Sequence, residues 1–172
     1  MNKLLVVVSG FAVLALAGCG NKSYEYEGKY YVTLGEDCSE STNPRDNEKP
    51  LLEIMKKDSG GAPQYILRTP AVGRLGVPLT SPQSATPSDK GELAFTYTKT
   101  EPAGVFSSGT SVEVVFKLTP NRSKPGYIWL TNWDVTASGN GELKETNMLD
   151  QLRRGHDIGS SGLCLRKEAD KS

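Results

Sequence analysis

The chain contains a single histidine, His156, in the run "RRGHDIG", with Asp157 directly after it. A His beside an Asp suggests acid–base work, but sequence neighbours in an extended segment point apart. They do not hydrogen-bond as a general base and its orienting carboxylate must. A serine hydrolase would also need a strained Gly-x-Ser-x-Gly turn. None occurs, and Ser107, Ser108, Ser160 and Ser161 all stand in Ser-Ser-Gly loop text. His156 therefore reads as a surface loop residue at a helix end. Metal chemistry has as little to build on. One histidine and no paired-cysteine motif leave no zinc shell, and the acids of "GEDCSE" and "NPRDNE" lack the spacing of a calcium loop. The glycines lie scattered in turns and link no strand to a helix as a phosphate cradle does. No metal site and no cofactor are expected.

Glycan hydrolysis needs two carboxylates roughly 5 to 10 Å apart across a cleft, and the acids here are spread over many segments. Asp134, in "NWDVT", is the one to watch, because an acid between Trp133 and Val135 can be partly desolvated; the plainer reading is a residue on a wet sheet face. Tyr127, Trp129 and Trp133 recur in step and offer flat apolar faces to a sugar or peptide, yet a stripe at strand period is more often core. The sequence thus points away from an enzyme.

Most of these residues stand in segments that read as strands. "KYYVTL" (Lys29 to Leu34), "ELAFTYTKT", "SVEVVFKLT" and "YIWLTNWDVTA" (Tyr127 to Ala137) alternate apolar and polar side chains and are rich in aromatic and β-branched types. "LLEIMKK" and "QYILRT", separated by "DSGG", read as a hairpin. "GLCLRK" near the end carries Leu163 and Leu165 on one face and Cys164 on the other. After "SGNG" the period changes: Met148, Leu149 and Leu152 fall at helical spacing, with Asn147 placed to cap, Arg153 and Arg154 in the last turn and Gly155 beyond it. The result is a mainly β fold, a small antiparallel β-barrel or sandwich of about seven strands with one short helix. Two irregular stretches interrupt it: the turn-rich acidic loop around Cys38, and the segment from Pro70 to Gly91 with four prolines.

The 172 residues include 20 basic and 20 acidic ones, so no basic footprint for nucleic acid appears. The first residues have a different grammar. Lys3 is the only charge before the apolar run from Leu4 to Gly18, which is shorter than the roughly 20 residues a spanning helix needs and reads as a signal peptide. Leu16-Ala17-Gly18-Cys19 closes that run and resembles the lipobox of bacterial lipoproteins. The resemblance implies cleavage before Cys19 and attachment of diacylglycerol and further acyl chains, palmitate among them, to that residue. Gly20 and Asn21 stand where an Asp would hold such a lipoprotein in the inner membrane. This implies an outer-membrane anchor on the periplasmic face.

With Cys19 given to lipid, Cys38 and Cys164 remain, an even number in an oxidising compartment, and a disulfide between them is expected. Its cysteines need Cα atoms within about 7 Å, so the first and last strands should be neighbours. The organisation expected is a signal peptide over 1–18, a flexible tether over 19–28, one β-rich domain over 29–168 and a tail over 169–172. The function expected is a lipid-anchored periplasmic binding module without catalysis, presenting loops to a protein or envelope ligand, an immunity or inhibitor lipoprotein being one version. A structural accessory lipoprotein of an envelope or secretion assembly is the alternative.

Overall fold

A computed structural model describes residues 24–33, 35, 38, 49–57, 60–69, 84–104, 109–155 and 158–169. Among them are eight strands and one helix: β1 (Gly28–Thr33), β2 (Leu52–Lys57), β3 (Gln64–Arg68), β4 (Leu93–Glu101), β5 (Thr110–Pro120), β6 (Tyr127–Gly139), β7 (Glu142–Asn147), α1 (Met148–Arg153) and β8 (Leu163–Lys167). The order around the sheet is β3-β2-β1-β8-β6-β5-β4, with β7 beside β6. All neighbours are antiparallel. The sheet curls into a nearly closed barrel. "LLEIMKK" is strand, as the hairpin reading expects, and buries Leu52 and Ile54 on alternate positions.

Alternation puts one side chain in two inside. Tyr30, Leu52, Leu67, Leu93, Phe95, Phe116, Leu118, Ile128, Leu130 and Leu165 fill the barrel, and Leu149 of α1 covers one end. Full burial of a Leu, Ile or Phe contributes about 1.5–3 kcal/mol relative to exposure. The first and last strands are neighbours, with Thr33 opposite Cys164. Cys38 is disulfide-bonded to Cys164 across 5.6 Å between Cα atoms and 126 residues of sequence. In the chain-entropy model such a closure stabilises the fold by about 4–5 kcal/mol.

β6 organises the architecture. Along one side it pairs with β5 throughout; along the other, Tyr127–Leu130 pair with β8 and Asp134–Gly139 with β7. The change of partner falls at a bulge, where Leu118 faces Leu130 but Lys117 faces Asn132, leaving Thr131 as the extra residue. A bulge reverses which side of the strand faces inward and bends it. Ile128 and Leu130 point inside before the bulge and Trp133 after it. The chain entering β8 crosses the bulge at Gly162, whose φ is +117°; a Cβ there would overlap the Leu130 carbonyl oxygen. Only glycine fits such a backbone contact.

Candidate functional site

The segment assigned to a flexible tether is docked from Tyr24 onward. Tyr26 is fully buried, its hydroxyl donating to the carbonyls of Gly91, before β4, and of Leu118, in β5. Its ring meets Tyr65 of β3 edge-on at 5.7 Å, and its carbonyl accepts from the Tyr30 hydroxyl at 2.9 Å. The Glu25 carboxylate accepts from Lys56 and Tyr65, both at 3.1 Å. Polar composition suggested a tether because it counts a tyrosine as wet, whereas a tyrosine ring buries as readily as Phe once its hydroxyl finds an acceptor.

This strap spans the seam where the sheet fails to close. Among the described residues no ladder joins β3 to β4, and the Tyr65–Ala85 bridge, with both N–H···O distances at 2.8 Å, ties β3 only to the segment that leads into β4. Tyr26 joins the two sides, and Glu25 ties the strap to β2 and β3. Burial raises the Tyr26 and Tyr30 hydroxyls well above the ordinary phenol range and pushes Tyr65 up to about 12. Burial also works against the Glu25 carboxylate, but hydrogen bonds from Lys56 and Tyr65 outweigh it and hold Glu25 below the usual carboxylate value.

At the other end, β4 to β7 run past the core. Phe95, Val114 and Trp133 are the last buried residues along β4, β5 and β6, and Thr98–Glu101 and Glu142–Glu145 are exposed. Glu101 lies eight residues beyond Leu93 on β4, about 27 Å at ~3.4 Å per residue. The four strands form an arm pointing away from the strap. Register places Thr96, Val115, Asp134 and Asn147 in one row of its outer face, Thr98, Glu113, Thr136 and Glu145 in the next, and Thr100, Ser111, Ser138 and Leu143 in the last. The arm carries five carboxylates, Glu101, Glu113, Asp134, Glu142 and Glu145, against Lys99 and Lys144.

Asp134 is a wet-face residue. Its two oxygens accept from Asn132 Nδ2 at 2.8 Å and Asn147 Nδ2 at 2.7 Å. Asn147 in turn caps α1 through Asp150 N–H at 3.0 Å, so the carboxylate braces the arm against the helix. The aromatic stripe is divided by the bulge and lines no common groove. Trp133 packs inside at 5.5 Å from Phe116, Trp129 is half-buried opposite Cys164, and Tyr127 lies under the Lys124 ammonium at 4.3 Å. Asn121 is buried; its Oδ1 accepts from the N–H groups of Ser123 and Lys124, and its amide donates to the Cys38 sulfur at 3.5 Å.

Sequence spacing brought no carboxylates together, but the fold gathers several. Glu25, Glu27, Glu53 and Glu168 line a surface groove of about 680 Å³ together with Lys29 and Lys167. Three of these acids already hold cations: Glu25 holds Lys56 at 3.1 Å, Glu53 holds Arg68 at 3.3 Å and Glu168 holds Lys29 at 4.0 Å. Among the described residues no three His, Cys, Asp or Glu are arranged to hold a metal ion. Ser160 and Ser161 are exposed turn residues. Cys19, Ser107, Ser108, His156 and Asp157 lie outside the described residues, as do most of the acidic loop around Cys38 and positions 70–83 of the proline-rich one. In comparisons with known protein families, curated proteins and solved structures, nothing matches this chain.

Proposed function

We propose that the protein is a lipid-anchored, periplasmic binding module without catalysis, held at the outer membrane through Cys19 and engaging a basic protein partner with its arm. The observation that carries this reading is the arm itself: four strands that outrun the fully buried core, acidic, exposed at Thr98–Glu101 and Glu142–Glu145, and at the end opposite the strap. A strand pair needs no such extension to bury a core, so the extra length serves contact with something outside the barrel.

The strap supports the orientation. Tyr24 follows Cys19 by five residues, a reach of at most about 18 Å. With acyl chains on Cys19, each methylene contributing about 0.8 kcal/mol to membrane binding, the strap end lies near the bilayer and the arm faces the periplasm. Excess carboxylates on the arm favour a partner with a basic contact surface and speed encounter with it at low salt.

The test is affinity capture with the full-length chain in detergent-solubilised envelopes, comparing it with Thr98→Arg and Thr136→Arg variants of equal melting temperature. One soluble partner, retained by the unsubstituted chain and weakened about tenfold or more by either arginine, supports capture by the arm. Retention that ignores both substitutions, or co-purification with a large membrane complex, contradicts it.

A further inference from the structure

Leu143 is the one exposed large hydrophobic side chain among the described residues, at 65 %. It sits in β7, which pairs with β6 along one side; no described strand occupies the other. A free edge carrying an apolar residue is a template for another strand unless its charges forbid the match. The charges of β7 select one match.

The β6–β7 turn is Asn140–Gly141, with φ values of +54° and +79°, the two-residue geometry with both central residues left-handed. Gly139 and Glu142 are then the closing hydrogen-bonded pair. Alternation directs the backbone groups of Glu142, Lys144 and Thr146 toward β6 and those of Leu143 and Glu145 toward the free edge. Residues opposite each other across a new antiparallel ladder must both be edge-directed or both turned inward. A twofold pairing of two β7 strands is therefore centred on a residue, never between two.

We infer that β7 pairs with β7 of a second copy of this chain about a twofold axis at Leu143. The two Leu143 residues then lie opposite each other and exchange backbone hydrogen bonds, while Glu142 of each copy faces Lys144 of the other. The alternative centres fail on charge, since like charges directly opposite are destabilising. Centring on Glu142 or Glu145 sets carboxylate against carboxylate, and centring on Lys144 sets ammonium against ammonium. A centre at Thr146 runs the ladder into α1, which begins at Met148. The Leu143 axis is perpendicular to the sheet, so the two arms merge with their hydroxyl-rich outer faces on one side. The pairing covers Gly141 to Glu145, less than a standard interface, and dimers form as the chains are concentrated. The inference does not depend on the arm's capturing a partner.

Directly opposed residues of such a pair have Cα atoms about 5.5 Å apart, within disulfide reach. The full-length Leu143→Cys chain is oxidised mildly over a concentration series and resolved on non-reducing gels, beside the unsubstituted chain and Thr98→Cys on the other edge strand. The expected result is a dimer band from Leu143→Cys about tenfold above both controls. Adding Lys144→Glu should cut it about fivefold, and adding Glu142→Lys as well should restore it. Equal crosslinking of Thr98→Cys, indifference to Lys144→Glu, or no recovery on reversing both charges would overturn the inference.

Discussion

Replacing Tyr26 tests whether the strap is part of the barrel. Tyr26→Phe keeps the ring and deletes a hydroxyl that donates to Gly91 and Leu118 carbonyls. A net hydrogen bond is worth about 0.5–1.5 kcal/mol, and acceptors left dry cost more, so the loss expected is about 1–2 kcal/mol. Tyr26→Ala also removes a fully buried ring that meets Tyr24 at 4.8 Å and Tyr65 at 5.7 Å. Truncating a buried aromatic costs about 3–5 kcal/mol, a large fraction of the roughly 5–15 kcal/mol available to a domain. Equilibrium urea unfolding, with the disulfide intact, reads both as shifts of midpoint at constant slope. The barrel seam should open as well, so amide exchange at Tyr65 and Ala85 should rise in Tyr26→Ala more than exchange in β5. A Tyr26→Ala chain with an unshifted midpoint would show that the seam closes without the strap, against this expectation.

Other outcomes follow from the same geometry. Gly162→Ala forces a Cβ into the Leu130 carbonyl at a left-handed φ, and should cost about 2–4 kcal/mol in urea unfolding. Asn147→Ala removes the α1 cap and one of the two amides on Asp134; a loss of about 1–2 kcal/mol in thermal melts is expected. Stability should also fall in alkali. Tyr26, Tyr30 and Tyr65 have folded pKa values above the unfolded phenol value of about 10, Tyr65 at about 12. Their contribution is complete below pH ~10 and is lost as the pH rises through the folded values, which pH-dependent melts will show. Glu25 acts in the opposite direction: its folded pKa is lowered, so the strap's contribution is present above the unfolded carboxylate value and lost as the pH falls through the folded one.

Strands with a buried face were legible in the sequence, because Phe95, Phe116 and Leu118 alternate with polar neighbours. The cap at Asn147 and the neighbouring first and last strands were legible too, from helical spacing and from cysteine arithmetic. β7 escaped, since "ELKETN" buries no face and is made of weak strand formers; the one signal for it was the Asn-Gly pair, which favours a two-residue hairpin. The bulge escaped for a different reason. Tyr127, Trp129 and Trp133 keep a perfect period of two, and nothing local shows that Thr131 is an extra residue; that is decided by which partner strand β6 meets. The strap was hidden by tyrosine, which is polar by composition and apolar by area. The arm became visible only through register, because no single strand reveals that it outruns its core.

Lipid anchoring through Cys19 is tested by the mass of the N-terminal fragment released by protease from the membrane-purified chain. The expected fragment begins at Cys19 and is heavier by a diacylglyceryl group and a further acyl chain. A fragment beginning elsewhere, with Cys19 absent or bearing a free thiol, would contradict it.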